Sequence, residues 1–307
     1  MILTLIKVFR PIRWYRNSFM ILGILIAIKV VNIGFGNVLS HWLEIILAFV
    51  SVCLIASGNY GINEVLDKEQ DKYHPTKKYR AIPSGKVSAT LVIVISIILY
   101  ILGFGISLLK NNYMLTLSVT LLMISGWLYN IPPLRLKDKP YLDFSFEALN
   151  NPIRLMVGWY SIAEPKHLVP ATFIFGYWFL GIFLMASKRF GELRFIHEAK
   201  TAELYRKSLK YYTEEVLLIS MIAALVAFSY MFGAMSMKYN INLLMVLPLI
   251  IIWTIWYFHL AYKENTIVKD PERVFEEKYF VAYTLTIFAV FFWLFNSSID
   301  TLNWLKQ

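Results

Sequence analysis

Residues 42–71 read Trp42-Leu43-Glu44-Ile45-Ile46-Leu47-Ala48-Phe49-Val50-Ser51-Val52-Cys53-Leu54-Ile55-Ala56-Ser57-Gly58-Asn59-Tyr60-Gly61-Ile62-Asn63-Glu64-Val65-Leu66-Asp67-Lys68-Glu69-Gln70-Asp71. The front of this stretch is almost wholly apolar, while its end carries Glu64, Asp67, Glu69 and Asp71. A bilayer offers no partner to a bare backbone amide, so a spanning helix needs roughly 20 mostly apolar residues. The stretch therefore predicts a membrane helix that runs out into water with acids on its last turns.

The same alternation of apolar runs and charged breaks extends along the chain. It has 307 residues, of which 58% are hydrophobic and only 16% charged, and a mean hydropathy of +0.57. That composition predicts an all-α integral membrane protein, a single polytopic domain over 1–307 with no soluble appendage. Nine transmembrane helices are expected, at 17–34, 42–61, 88–108, 112–131, 143–162, 168–187, 214–234, 241–262 and 279–298. The first, flanked by Arg13 and Arg16, lacks a small-residue cleavage site and is expected to be retained. The one cysteine, Cys53, lies inside the second span, so disulfides have no expected role. Span five carries Glu147, Asn150, Asn151, Pro152 and Arg154, the marks of a helix that faces a bundle interior or a wet cavity.

Nine spans put the termini on opposite sides. The N-terminus and the loops after spans two, four, six and eight carry 24 Lys and Arg, against four in the remaining loops and the C-terminus. By the positive-inside rule the N-terminus and the basic loops are cytoplasmic. Anionic membrane lipids account for part of the net charge of +10, and an anionic substrate is the sharper explanation. Nucleic acid is not expected, because the charge is divided over short loops between spans. Whether copies associate into a homo-oligomer is left open.

Asn63, Asp67 and Asp71 recur every fourth residue, which stacks three oxygen-bearing side chains on one helical face. Hard oxygens on a rigid face suit Mg2+, which keeps several waters and shares its remaining positions with substrate phosphates. Glu64 adds a fourth oxygen donor. A solvated juxtamembrane helix with ordinary charges has the same composition. The loop that follows carries Lys77, Lys78, Arg80 and Lys86 between prolines and a glycine. Acids followed by cations fit a magnesium–diphosphate complex, although basic residues alone also satisfy the positive-inside rule.

The pattern Asn63-Glu64-x-x-Asp67-x-x-x-Asp71, followed by Arg80-x-Ile82-Pro83-Ser84-Gly85, resembles the first signature of the UbiA superfamily of intramembrane prenyltransferases. The resemblance implies a nine-helix bundle that binds a diphosphate through Mg2+ at this motif, with Glu64 standing where Asp is usual. Tyr129-Asn130-Ile131-Pro132-Pro133-Leu134-Arg135 is similar to the superfamily's segment after the fourth helix.

Most of that superfamily has a second aspartate-rich motif after span six. This chain instead has Lys188-Arg189-Phe190-Gly191-Glu192-Leu193-Arg194 and then Arg206-Lys207-Ser208-Leu209-Lys210-Tyr211-Tyr212-Thr213. Glu192 lies four residues after Lys188, on its helical face. Such a site suits one metal-bound diphosphate and one metal-free phosphate, the latter on Lys188, Arg189 and Arg194. Positive-inside charge is the plainer account. Together with His74-Pro75-Thr76-Lys77, and with Arg154 and Gly158 in span five, these segments resemble the decaprenyl-phosphate phosphoribosyltransferase branch. The resemblance implies 5-phosphoribosyl-1-pyrophosphate as donor and a polyprenyl phosphate as acceptor. Asp67 and Asp71 would act with Mg2+, Lys77, Lys78 and Arg80 would hold the leaving group, Glu192 would meet ribose hydroxyls, and Arg154 would aim the lipid phosphate. Prenyl transfer to an aromatic or other small acceptor is the competing activity, and a transporter is the competing class. Asp270-Pro271-Glu272-Arg273 is read either as a lid or as the first turn of the last span.

Overall fold

The computed structural model describes residues 2–72, 77–195, 206–263, 276–297 and 302. These contain α-helices, short 3-10 turns and no strand among the described residues. Six helices are long and apolar enough to cross a membrane: Trp42–Leu66, Ala89–Leu108, Ala171–Arg194, Glu214–Tyr239, Ile241–Tyr262 and Lys278–Asn296. They correspond to the second, third, sixth, seventh, eighth and ninth expected spans.

The other three expected spans differ for local reasons. The first begins as a 3-10 turn over Pro11–Phe19 and becomes an α-helix only over Met20–Val30. The fourth is the helix Tyr113–Asn130, whose hydroxyls fold back on backbone carbonyls, Ser118 to Met114 and Thr120 to Thr116. The fifth is two helices, Leu142–Ala148 and Asn150–Ile162. Pro152 has no N–H to donate to the Ala148 carbonyl, and the Asn150 side chain caps the break by donating to the Glu147 carbonyl at 3.0 Å. The lid candidate Asp270–Arg273 and the motif residues His74–Thr76 lie outside the described residues.

The chain divides into two compact units, Met1–Val169 with Glu198–Tyr211, and Pro170–His197 with Tyr212–Gln307. In the first, the Trp42–Leu66 helix runs through the middle and buries Ala48, Val52, Ile55 and Ala56. Its polar side chains are matched by neighbours. Ser51 donates to the Gly103 carbonyl at 2.6 Å, Asn59 donates to the Leu122 carbonyl at 3.1 Å, and Asn59 accepts from the Tyr100 hydroxyl at 2.8 Å. Two glycines bring Met20–Val30 against Asn150–Ile162. A β-carbon on Gly158 would stand 1.8 Å from the Met20 carbonyl oxygen, and one on Gly23 would stand 1.9 Å from that of Leu155. Small residues at a crossing let membrane helices approach backbone to backbone.

The second unit is aromatic. Trp253 stacks on Phe280 with ring centroids 5.5 Å apart, and Phe190 packs edge-on to Tyr262 at 5.1 Å. Outward faces in both units are apolar: Ile97, Ile98 and Ile101 on one helix and Ile219, Ile222 and Val226 on another are exposed. Contiguous apolar surface of this kind is a lipid-facing surface, not a water-facing one.

Candidate functional site

The Trp42–Leu66 helix ends where the backbone turns at Asp67, and the short helix Lys68–Asp71 follows. Helical bonding continues through the turn. The Asp67 N–H donates to the Asn63 carbonyl at 2.9 Å and the Asp71 N–H to the Asp67 carbonyl at 2.8 Å. The spacing of four therefore keeps its local geometry.

Asp67 is the centre of a polar cluster. Arg135 donates to it at 2.7 Å, Lys137 bonds the same carboxylate oxygen, and Asn63 donates to the other oxygen at 3.0 Å. Asn130 ties the cluster together, accepting from Asn63 at 2.6 Å and from Lys137 at 2.9 Å. Arg135 also reaches Gln70 at 2.6 Å and Asp138 at 3.0 Å. It takes up this position from a left-handed backbone (φ 33°), just after the Pro132–Pro133 pair. Burial would raise the Asp67 carboxyl, but the adjacent Lys137 and Arg135 charges outweigh it and hold the group below its ordinary value. Burial pushes Lys137 down to about 8, against the pull of Asp67.

The other two predicted oxygen donors belong to a second cluster. Asp71 is buried and accepts from Arg80 at 2.7 Å. Glu64, expected beside Asn63 and Asp67, turns elsewhere: its carboxylate accepts from the Ile82 N–H at 3.3 Å and lies 3.9 Å from Arg10. Adjacent residues on a helix point about 100° apart, so Glu64 cannot share the Asn63 face. It anchors the loop that carries Arg80. Lys78 lies over the Tyr79 ring at 5.2 Å. Lys77 opens the 3-10 turn Lys77–Tyr79, and its side chain lies outside the described residues.

The second basic stretch is more committed than its sequence implied. Arg189 is fully buried and donates to Glu192 at 2.8 Å. Glu192 thus has a charged partner three residues back, in addition to sharing the helical face of Lys188 four residues back. Arg194 donates to Glu214 at 2.9 Å and lies over the Tyr262 ring at 4.7 Å. Lys188 is half-buried on the same helix. The later part of this loop belongs to the first unit: Ser208 donates to Asp143 at 2.9 Å, Arg206 to the Tyr129 hydroxyl at 3.4 Å, and Lys207 lies 3.9 Å from Asp138. Arg206 is thereby close enough for its charge to act on Asp67. Arg154 donates to Asn17 at 2.8 Å and to the Asn150 carbonyl at 3.3 Å.

Among the described residues, no three His, Cys, Asp or Glu side chains form a ready metal cage. Mg2+ does not need one, since it retains waters and takes one or two carboxylates together with substrate phosphates. Asn63 and Asp67 suit that mode, with Arg135 and Lys137 beside them to meet phosphate oxygens, while Asp71 lies with Arg80 in the second cluster. Sequence reading missed the roles of Lys137 and Asn130. Lys137 was only one of many loop cations, and Asn130 was only part of a resembling segment.

Apolar helices that end in a cluster of acids and guanidinium groups define an intramembrane protein built to handle an anionic group. The chain belongs to the UbiA prenyltransferase family, whose model matches residues 33–281; it is a membrane transferase. It is 28% identical over 217 residues to a decaprenyl-phosphate phosphoribosyltransferase of Mycobacterium tuberculosis, covering 69% of this chain and 67% of that protein. A digeranylgeranylglyceryl phosphate synthase of Saccharolobus solfataricus is 45% identical over 75 residues, 24% of this chain and 26% of that one. In fold, the chain is similar to a UbiA homologue from Archaeoglobus fulgidus bound to DMAPP and Mg2+. The TM-score is 0.69 at 17% identity, over 94% of this chain and 99% of the other.

Proposed function

We propose that the protein transfers a 5-phosphoribosyl group from 5-phosphoribosyl-1-pyrophosphate to a polyprenyl phosphate, with release of pyrophosphate and with Mg2+ as cofactor. The reading takes the chain as one membrane domain of nine crossings in a plasma membrane, with the N-terminus and the site on the cytoplasmic side. The observation that carries it is the make-up of Lys188–Arg194. The one acid there, Glu192, is bonded to Arg189, whereas a prenyl-diphosphate enzyme would carry acids at this place for a second metal. Similarity to the mycobacterial phosphoribosyltransferase over two thirds of both chains supports the same donor.

In this reading Asn63, Asp67 and Asp71 hold Mg2+, and Glu64 stays outside the set as the anchor of the Arg80 loop. When bound, the metal supplies Lewis-acid stabilisation of the charge on the departing pyrophosphate. Arg135 and Lys137 move from Asp67 onto the diphosphate oxygens, with Arg80, Lys77 and Lys78 completing the cradle. Lys188 and Arg194 take the ribose 5-phosphate, and Arg189 and Glu192 form the buried pair beneath them. A lipid phosphate oxygen forms the new bond to the anomeric carbon. The carbon–oxygen bond to pyrophosphate breaks on the opposite face, and pyrophosphate leaves with the electron pair, so configuration inverts. The acceptor phosphate is already anionic at neutral pH, so no strong general base is required. Arg154 orients it.

Prenyl transfer is the second reading, favoured by the 75-residue match to the digeranylgeranylglyceryl phosphate synthase. A ligand that binds only the folded state raises the melting temperature, which separates the two. Purified protein should be stabilised by 5-phosphoribosyl-1-pyrophosphate with Mg2+ and not by geranyl diphosphate. The reverse selectivity would replace this reading with prenyl transfer.

A further inference from the structure

A second group of cations lies deeper than Asp67 and outside the donor cradle. The 3-10 turn Pro11–Phe19 is pinned across the Trp42–Leu66 helix, where Trp14 donates to the Ser57 hydroxyl at 3.0 Å and Asn17 to the Cys53 sulfur at 3.2 Å. The turn presents its arginines to Tyr60. Arg13 lies over the Tyr60 ring at 5.6 Å and Arg10, entering from a left-handed backbone (φ 48°), at 5.3 Å. Arg16 follows Arg13 by three residues, on the same face of the 3-10 turn, and bonds the Tyr60 side chain. Arg154 closes the group from the Asn150–Ile162 helix, held by Asn17. Arg10, Arg13, Arg16 and Arg154 thus all lie close to Tyr60. Arg10 also faces Glu64, which leaves Arg13, Arg16 and Arg154 as the inner three.

Tyr60 precedes Asp67 by seven residues, two helical turns or roughly 10 Å along the axis. It therefore lies on the same helical face as Asn63 and Asp67 but nearer the apolar body of the helix. Ile12, Phe19 and Ile21 expose large apolar side chains on either side of the cluster. Planar guanidinium groups match the oxygens of a phosphate in pairs, and apolar surface next to them suits an isoprenoid chain. A soluble donor has no use for that surface.

We propose that Arg13, Arg16 and Arg154, gathered round Tyr60, form the seat for the phosphate headgroup of the acceptor lipid, with its chain leaving past Ile12, Phe19 and Ile21. The assignment rests on the reading of the acceptor as a polyprenyl phosphate. It makes the turn before the first apolar helix a part of the site, with Tyr60 as the group that positions the three guanidinium groups. Donor and acceptor then meet along one helix face, the donor at Asp67 and the acceptor two turns below.

The test is binding without chemistry. Purified full-length protein in phosphatidylcholine nanodiscs is titrated with a short-chain polyprenyl phosphate in the absence of donor and metal, and separately with 5-phosphoribosyl-1-pyrophosphate and Mg2+. Arg13→Gln, Arg16→Gln and Arg154→Gln should each weaken lipid-phosphate binding roughly ten- to a hundredfold and leave donor binding within about threefold. Arg16→Lys, which keeps the charge, should recover part of the loss and serves where the Gln variant does not fold. Unchanged lipid-phosphate affinity in the variants, or a loss confined to the donor, would overturn the seat alone. Equal affinity for phosphatidic acid would make it a general lipid-phosphate contact and overturn it as an acceptor site. Wild-type binding of the polyprenyl diphosphate and not the monophosphate would overturn the acceptor reading and the seat with it.

Discussion

Arg135 and Asp67, sixty-eight positions apart in sequence, are joined by a 2.7 Å charged hydrogen bond. The bond ties the loop after Tyr129–Asn130 to the end of the Trp42–Leu66 helix, and Lys137 reinforces it on the same oxygen. A carboxylate held this way is preorganised, and in the proposed site its two cations are the groups that would pass to the diphosphate. Asp67→Asn keeps the shape and removes the charge. Turnover should fall at least a hundredfold, with some loss of melting temperature because two cations lose their anion. Asp71→Asn should lower turnover in the same way through Arg80. Near-normal turnover at saturating donor and ordinary Mg2+ would remove both acids from the metal set.

Metal removal is the companion test. Chelation should abolish turnover and the donor-induced rise in melting temperature, while leaving the ligand-free melting temperature nearly unchanged. The second part follows because Asp67 and Asp71 already have cation partners within the protein. Restored Mg2+ should recover activity. Full activity in excess chelator would exclude a divalent ion.

The buried pair in the second unit changes what mutation of the basic stretch should do. Arg189→Ala leaves the Glu192 carboxylate without its 2.8 Å partner, and breaking a buried ion pair costs about 3–5 kcal/mol. Its main effect should be a lower melting temperature. Lys188→Ala should raise the donor KM roughly tenfold or more. A large KM effect from Arg189→Ala in a protein of normal melting temperature would mean that Arg189 itself holds the donor.

Gly158→Ala tests the helix crossing that carries Arg154. The added β-carbon would meet the Met20 carbonyl at 1.8 Å, backbone that cannot swing aside. Overpacking costs typically about 1–3 kcal/mol, and here it also separates Arg154 from Asn17. Gly105→Ala, where nothing lies within 4 Å, is the control and should be tolerated. Equal melting temperatures for the two variants would contradict the close crossing.

Much of this was legible in the sequence. Long apolar runs announced six of the spans because length and hydropathy are local properties. The fifth span's break was foreshadowed by Asn150, Asn151 and Pro152, yet its position depends on a cap, Asn150 to the Glu147 carbonyl, that spacing alone does not give. The Asn63, Asp67, Asp71 repeat was legible because it follows the helical period. Glu64 turns toward the Ile82 N–H and Arg10, a direction that chain proximity to Asn63 does not reveal. Lys137 and Arg135 reach Asp67, and Asn130 reaches Asn63, only through the fold of a segment some seventy residues away, and no local pattern encodes that meeting. The pairing of Arg189 with Glu192 is an i+3 contact whose formation depends on rotamers, which spacing does not give.

The proposed orientation rests on the uneven charge of the loops. A tag at Met1 should be shielded from external reagents in intact cells, and one at Gln307 should be accessible. Both tags on one side would mean an even number of crossings.

The most direct measurement is of the product. Purified protein in nanodiscs is given radiolabelled 5-phosphoribosyl-1-pyrophosphate, Mg2+ and a polyprenyl phosphate, and in parallel a labelled prenyl diphosphate with the same acceptor and with an aromatic one. The account predicts label from the phosphoribosyl donor in the lipid fraction, with one pyrophosphate released per lipid labelled, and no product from the prenyl donor. Prenyl transfer with no phosphoribosyl-lipid formed would contradict it.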